Sequence, residues 1–318
     1  MKTLLLFFLL FFLSLWASEL TPVPITPASI SRDFMGITIL DQQKMTRHYF
    51  EGHSFSELSD LAYDSLHHRL YMISDKGKLF LFHASFGEKI ERLQIEKGVM
   101  LHNRKGKVLK HWQRDSEGMT FDKKGHLYLS FEGEAKVAEV GVREAYFGTL
   151  LRTLPLPSIL RKTEAYRSPN KSLEALAWHP RYGLLTVAEW PLKRDHKKRQ
   201  SIYALKGGRV WHFRAEPEAR SAVVAMEVMD DGNLLIVERS YVSLLEPLVI
   251  TLKKVFLWQQ TRGYCRTKIL AKMSTHKGWN IDNFEGLAKV GKHRYVMISD
   301  DNDYFFQSTL LLYFEVKE

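Results

Sequence analysis

The chain has 318 residues, a formal net charge of +10 and a single cysteine, Cys265. One cysteine excludes an internal disulfide framework, and no Cys/His spacing indicates a zinc site. The positive charge suits anionic ligands, but no nucleic-acid recognition motif accompanies it, so we expect no nucleic-acid partner.

The first 18 residues have the pattern of a secretory signal peptide. Lys2 supplies a positive charge, Leu4 to Leu13 form an apolar run, and Ser14 to Ser18 offer a small-residue cleavage site. The apolar run is short for a membrane span, so we expect no span after cleavage; an uncleaved anchor is the alternative. The sequence thus predicts a periplasmic or secreted protein with one domain, residues 19–318. It does not indicate the oligomeric state.

A strand-like segment, FMGITILDQQ (residues 34–43), precedes a series of similar segments. Each contains a short apolar run, a polar turn and a second apolar run that ends in an acidic residue. Sequence similarity between segments that begin about 50–60 residues apart indicates a repeat architecture. The five segments are residues 60–75, 117–132, 174–189, 223–238 and 285–300.

Each of the first four repeats continues with two further strand-like runs. Four strands per repeat is the composition of a propeller blade. The last repeat supplies only three strands, and residues 34–43 provide the missing one. Pairing of the first strand with the last blade closes the ring and removes its exposed edges. The sequence therefore predicts an all-β fold, a β-propeller of five four-stranded blades closed by an N-terminal strand. Six blades is the alternative, if a linker hides a degenerate copy.

Four of the five segments carry an acidic residue at both ends, 15 residues apart, and the segment 223–238 keeps only its terminal acid. The first acid begins the inner strand of a blade, and the second ends its antiparallel neighbour. Both positions should therefore lie at the same mouth of the central channel. The predicted ring consists of Asp60, Asp75, Glu117, Glu132, Glu174, Glu189, Glu238, Glu285 and Asp300.

So many carboxylates at one mouth raise each other's pKa, and a bound cation relieves the repulsion. Ligand sets made of oxygen alone suit calcium before magnesium. We therefore expect calcium as a cofactor, with Glu117, Glu174, Glu285 and Asp60 as its ligands. In the alternative interpretation the acids are blade architecture and accept backbone N–H groups.

Other residues at the predicted mouth suggest catalytic and substrate-binding roles. Asp75 or Asp300, with a raised pKa, would act as general base on water. Lys76, Arg239 and Trp190 each follow an acid at a strand end, where they would bind an anionic substrate or pair with the acids. A serine-hydrolase mechanism has no support, because no G-x-S-x-G elbow is present.

Several segments resemble the phytase-like family, also described as "esterase-like activity of phytase". They are LSDLAYD…LYMISDKG near the start, DSEGMTFD and SLEALAW in the centre, and NFEGLA…VMISDDND…FQSTLLLYFEV at the end. The resemblance implies a secreted or periplasmic bacterial β-propeller that hydrolyses phosphate or other esters.

The pairs Glu117-Gly118 and Glu285-Gly286 also resemble the strand starts of lactonase-type calcium propellers. That resemblance implies Glu117 and Glu285 as metal ligands, with Glu174 a weaker match because Ala175 replaces the glycine.

Two classes of function follow from these observations. The first is a calcium-assisted esterase that acts on a small anionic ester at the acidic mouth. The second is a non-catalytic binding propeller of the cell envelope. A calcium-dependent lactonase differs from the first mainly in its substrate.

Overall fold

The computed structural model describes residues 20–46, 49–243, 246–304 and 307–317, and the predicted signal peptide lies outside them. Within these ranges the regular elements are 24 strands and five short 3-10 turns. No helix of the described residues has the length and apolar character needed to cross a membrane. The strands before the first blade are β1 (Leu20–Pro22), β2 (Asp33–Phe34), β3 (Ile37–Met45), β4 (Tyr49–Phe50) and β5 (His53–Ser54).

The remaining strands form five antiparallel blades in chain order. Blade 1 contains β6 (Leu58–Asp64), β7 (Arg69–Ser74), β8 (Lys78–Phe86) and β9 (Ile90–Met100). Blade 2 contains β10 (Ser116–Phe121), β11 (Leu127–Phe131), β12 (Lys136–Val140) and β13 (Leu150–Leu154). Blade 3 contains β14 (Leu173–His179), β15 (Gly183–Ala188), β16 (Arg199–Ala204) and β17 (Val210–Arg214). Blade 4 contains β18 (Ala222–Val228), β19 (Leu234–Ser240), β20 (Val249–Thr261) and β21 (Tyr264–Ser274). Blade 5 contains β22 (Asn283–Gly291), β23 (Arg294–Asp300) and β24 (Leu310–Val316). The 3-10 turns are His111–Gln113, Glu144–Tyr146, Ser158–Leu160, Thr163–Ala165 and Thr275–Lys277.

The N-terminal strand completes blade 5, as the sequence predicts. β3 pairs antiparallel with β24, from Ile37 opposite Val316 to Lys44 opposite Leu310. The inner strands β6, β10, β14, β18 and β22 contact one another in that order, and β22 contacts β6. The ring is therefore closed, and the prediction of five blades rather than six is confirmed.

The second strand of each blade is apolar along its length because the blade is covered on both faces. In β7, Leu70 and Met72 are buried against blade 5, whereas Tyr71 and Ile73 are buried against blade 2. Alternate side chains of a strand point to opposite faces, so one strand serves two interfaces. The apolar core is accordingly divided among five clusters, each located between two consecutive blades. Each large side chain buried there stabilises the ring by about 1.5–3 kcal/mol.

Candidate metal and active site

The acids of the inner strands lie at one mouth of the channel because of a shared irregularity in each blade. At the start of every inner strand the register with the second strand shifts by one β-bulge. In blade 3, for example, Leu173 pairs with Ala188 and Ala175 with Val187, so Glu174 is the extra residue. A bulge turns the side chain of its extra residue away from the regular alternation of the strand.

The strand register of blades 2 and 5 places Glu117 and Glu285 at the corresponding bulges. These three glutamates are the residues that the sequence favours as ligands. Blade 1 has Ser59 at the bulge and blade 4 has Val224. The repeat thus supplies acids at three of five bulges.

Five carboxylates at the mouth form two overlapping groups. The carboxylate oxygens of Asp115, Glu117 and Glu132 lie within 4.8 Å of one another, and so do those of Glu132, Glu174 and Glu189. Glu132 belongs to both groups, so the five acids form one continuous cluster, which we call the acidic cluster. It contains two of the predicted metal ligands, Glu117 and Glu174.

Glu174 is buried, and no hydrogen bond or ion pair of the described residues neutralises its carboxylate. Its side chain is 6% exposed, and its carboxylate has neither a hydrogen bond nor an ion pair among the described residues. Burial, followed by the charges of Glu189 and Glu132, holds its pKa well above the usual range. Burial and the charges of Glu174 and Glu132 have the same effect on the pKa of Glu117. Burial and Glu189 raise the pKa of Glu132 to about 8.

Two cationic side chains lie beside the acidic cluster and neutralise part of it. Lys171 Nζ is 2.5 Å from Glu189 Oε2. Arg239 forms ion pairs with Glu285 and, at 3.4 Å, with Glu189, and its Nη1 also donates to Asn283. In the other blades an acidic residue, such as Asp300 in blade 5, lies at the end of the second strand. In blade 4 the equivalent position in the strand register is Arg239. Glu285 is therefore engaged by an arginine, whereas Glu117 and Glu174 are not.

The predicted substrate-binding residues lie at this same mouth. Lys76 pairs with Glu57 at 3.0 Å and with Asp75 at 3.3 Å. Trp190 follows Glu189, and its ring lies 5.6 Å from Lys171 Nζ. Lys76 and Arg239 are thus paired with acids in this structure, and binding of substrate by these three residues stays a prediction.

The two predicted general bases differ in their protonation. Burial and the charge of Glu57 raise the pKa of Asp75 to about 6, and its Oδ1 is buried with no hydrogen bond from the described residues. Burial and Glu285 raise the pKa of Asp300 to about 9. At neutral pH Asp75 is mainly ionised and Asp300 is mainly protonated. Asp75 therefore has the properties of a base and Asp300 those of an acid.

Asp60 lies outside the acidic cluster, although the sequence predicts it as a metal ligand. It is one register position past the bulge, and its two oxygens accept N–H groups of Met119 at 2.6 Å and Leu287 at 3.0 Å. These donors belong to the inner strands of blades 2 and 5, so Asp60 links three blades. This arrangement favours an architectural role for Asp60, and its role as a metal ligand stays a prediction.

Replacing Asp60 by alanine separates these two roles. The N–H groups of Met119 and Leu287 would lose their acceptor, and each unsatisfied buried group costs about 1–3 kcal/mol. We expect a lower melting temperature with unchanged calcium affinity, measured by calorimetry. A variant of normal stability that had lost calcium binding would instead support the prediction that Asp60 is a ligand.

Glu238 also lies away from the cluster, because the strand register moves it by one position relative to the other terminal acids. It is buried against Lys253, whose Nζ is 2.6 Å from Glu238 Oε1 and 2.7 Å from Glu216 Oε1. Lys253 Nζ also donates to the carbonyl oxygen of Arg214. This buried ion-pair network joins blades 3 and 4 and does not face the acidic cluster.

Sequence reasoning missed two residues of the site. Asp115 and Lys171 lie just before the repeat segments, in connections between blades whose conformation the repeat does not determine. The available signal was their position, two residues before Glu117 and three before Glu174. A search for polar residues immediately before each inner strand would have found both.

A family model described as "Phytase-like: Esterase-like activity of phytase" matches residues 53–303. The chain belongs to this family. The match begins before blade 1 and ends after β23, so the phytase-like region includes the whole acidic cluster.

Matches among solved structures include two of virginiamycin B lyase from Staphylococcus aureus. A catalytically inactive form with quinupristin has 10% sequence identity and a TM-score of 0.41, covering 94% of this chain and 96% of the other. A selenomethionine-substituted form has 9% identity and a TM-score of 0.39, covering 94% of this chain and 100% of the other. No curated protein matches the chain.

The raised pKa values predict an unusual dependence of stability on pH in the metal-free protein. The carboxyl groups of Asp75, Glu132 and Asp300 have ordinary pKa values near 4, and in the folded protein their pKa values rise to about 6, 8 and 9. The folded state therefore holds protons that the unfolded state releases, and stability is lost as pH rises from about 4 to about 9. We expect the melting temperature in EDTA to fall across this range. A melting temperature that rises with pH in this range would contradict the prediction.

Proposed function

We propose that this phytase-like propeller is a metal-dependent esterase whose divalent cation, calcium, binds at the acidic cluster. The observation that carries the proposal is Glu174, a buried carboxylate without a protein partner beside Glu132 and Glu189. A buried acid of this kind is costly unless it is protonated or binds a cation.

The residues of the cluster fit calcium. Both groups contain carboxylates only, and calcium prefers oxygen ligands from mono- or bidentate carboxylates. The two groups share Glu132 and together contain five carboxylates. Only one lysine and one arginine of the described residues form ion pairs with them, so the cluster has more acidic than basic groups. Glu132, Glu174 and Glu189 would hold the cation at one group, and Asp115 and Glu117 would offer further oxygens at the other group through the shared Glu132.

The bound cation would neutralise an anionic substrate and polarise the phosphoryl or carbonyl oxygen of its ester. Asp75, ionised at neutral pH and with a free buried oxygen, would accept a proton from the attacking water. Asp300, protonated at neutral pH, would donate a proton to the leaving oxygen. Lys76, Arg239 and Trp190 would orient the substrate at the mouth.

The family description, "esterase-like activity of phytase", supports ester hydrolysis as the reaction class. The signal-peptide pattern supports a periplasmic or secreted location, where calcium is available to the folded protein. A small anionic ester is the proposed substrate, since positive charge dominates the chain as a whole.

Titration of calcium into EDTA-treated and then desalted mature protein tests the proposal by calorimetry. We expect saturable binding, a rise in melting temperature on calcium addition and calcium-dependent hydrolysis of phosphomonoesters or lactones in a substrate panel. Preference for lactones would identify the lactonase alternative. Absence of calcium binding would refute the metal site and leave the binding propeller as the function.

A further inference from the structure

A small pocket lies between blades 2 and 3, away from the acidic cluster. The inner strands β10 and β14 begin at the acids, and the pocket lies near the other ends of these two strands. Its volume is about 190 Å³, and none of its lining residues belongs to the acidic cluster. We call it the interblade pocket and define it by Tyr128, Arg152, Leu154, Trp178, Leu205 and Lys206.

Most of the wall of the interblade pocket is apolar. Leu154, Leu184 and Leu205 line it, pack against the apolar cluster between blades 2 and 3, and remain partly exposed. Trp178, from the inner strand of blade 3, adds a partly buried indole ring. An apolar cavity of about 150 Å³ is large enough to bind benzene. The interblade pocket therefore has room for one six-membered ring or a branched chain of similar size.

Two of the charged groups at the pocket already have partners within the protein. Arg152 Nε donates to Glu139 Oε2 at 2.5 Å, so these two charges compensate each other. Asp122 Oδ1 accepts two backbone N–H groups of the turn that follows it, at 2.8 and 3.0 Å. Its Oδ2 lies 2.9 Å from His126 Nδ1 and accepts the Tyr128 hydroxyl group at 3.4 Å. The oxygens of Asp122 are therefore occupied by groups of the protein itself.

The rim of the interblade pocket has an excess of positive charge. Lys206 lines the pocket in the exposed turn between β16 and β17, and its side chain pairs with no carboxylate of the described residues. Lys123 and Lys124 follow Asp122 and are exposed and unpaired within the same part of the chain. Three lysines thus outnumber the one aspartate. Positive charge beside an apolar wall favours an anion that carries an apolar group over a cation of the same size.

We propose that the interblade pocket binds a small monocarboxylate whose apolar part is a single ring or a short branched chain. The apolar part would contact Trp178 and the three leucines of the wall. The carboxylate would lie beside Lys206 and Arg152, whose charge-assisted hydrogen bonds are stronger than those of neutral donors. This site is separate from the proposed esterase site, and the inference does not depend on that function.

Titration of phenylacetate into the EDTA-treated protein tests the pocket, with ligand-observed NMR as the measurement. Removal of metal ions prevents the carboxylate from binding through calcium at the acidic cluster. We expect saturable binding with a dissociation constant of about 1 mM or lower, the range for a ligand of about ten non-hydrogen atoms. Phenylacetamide, which has the same shape without the charge, should bind about fivefold more weakly or worse. Acetate, which has no apolar group, should not bind. Cyclohexanecarboxylate and 3-methylbutanoate test the other apolar shapes.

Two variants with matched controls locate the binding site. Lys206→Glu should weaken phenylacetate binding about tenfold or more, because it puts a like charge beside the carboxylate. Lys292→Glu makes the same change at an exposed lysine between β22 and β23, and it should bind as the wild type does. Leu205→Trp should fill the pocket and abolish binding. Leu66→Trp, at a residue of blade 1 that is 86% exposed, should not affect it.

Three results would overturn the proposal. The first is failure of the wild type to bind any of the three carboxylates that carry an apolar group. The second is equal affinity for phenylacetate and phenylacetamide, since the ligand would then not be recognised as an anion. The third is an equal loss in Lys206→Glu and Lys292→Glu, because net charge alone would explain it. Glu174→Gln should lose calcium binding and retain phenylacetate binding, so failure of the esterase proposal is distinguishable from failure of this one.

Discussion

Glu174→Gln is expected to reduce calcium-dependent ester hydrolysis by about 100-fold or more, since the loss of a supporting carboxylate alone costs 10–100-fold in metal affinity. Glu174 is 6% exposed, lies within 4.8 Å of the oxygens of Glu132 and Glu189, and has no partner among the described residues. Glutamine keeps the shape of the side chain and removes the charge that a cation needs. Initial rates over a calcium series, with calorimetric affinities, measure the effect.

The same substitution should raise the stability of the metal-free protein. Burial and the charges of Glu189 and Glu132 disfavour ionised Glu174, so a neutral amide removes this repulsion. We expect a higher melting temperature in EDTA at neutral pH and a smaller increase on calcium addition. Glu164→Gln, at an exposed residue of the connection before blade 3, is the control and should change neither property. A Glu174→Gln enzyme with normal turnover would disprove the metal site. A variant with lower stability would show that the acid is architectural.

Lys253→Met is expected to cause the largest loss of stability, about 3–5 kcal/mol, because it leaves buried carboxylates without their cation. The side chains of Lys253 and Glu238 are each 1% exposed. Lys253 also pairs with Glu216 and donates to the carbonyl oxygen of Arg214, so it satisfies groups from blades 3 and 4 together. Chemical denaturation at neutral pH measures the change in the free energy of unfolding.

The neighbouring lysine provides a matched control for this prediction. Lys254 pairs with Asp231 at the surface, where an ion pair contributes about 0–1 kcal/mol. Lys254→Met should therefore have a small effect. Adding Glu238→Gln to Lys253→Met should restore part of the lost stability, because it removes the unpaired charge. Equal destabilisation by the two lysine substitutions would show that the buried network contributes little.

Much of the fold was predictable because its signals are local. A strand, a polar turn and an antiparallel strand are recognisable within about 15 residues. Their recurrence indicated the blades, and the missing strand of the last repeat indicated closure by residues 34–43, which β3 confirms. Antiparallel pairing also placed the start of each inner strand and the end of its second strand at the same mouth of the channel.

The identity of the residues that share this mouth was less predictable, since a shift of one residue reverses the direction of a side chain. In blade 1 the turn is one residue longer than in blade 3, so Asp60 lies past the bulge and binds backbone N–H groups instead of joining Glu117 and Glu174. In blade 4 the register moves Glu238 to Lys253 and puts Arg239 among the acids.

The sequence by itself determined the all-β repeat, the closing strand and the mouth at which most of the acids lie, and it favoured five blades over six. Only the tertiary structure decided which acids are neighbours and that Asp115 and Lys171 join them. The first set depends on patterns within one hairpin. The second depends on distances between blades far apart in the chain, which are determined by packing and by bulges that shift the register.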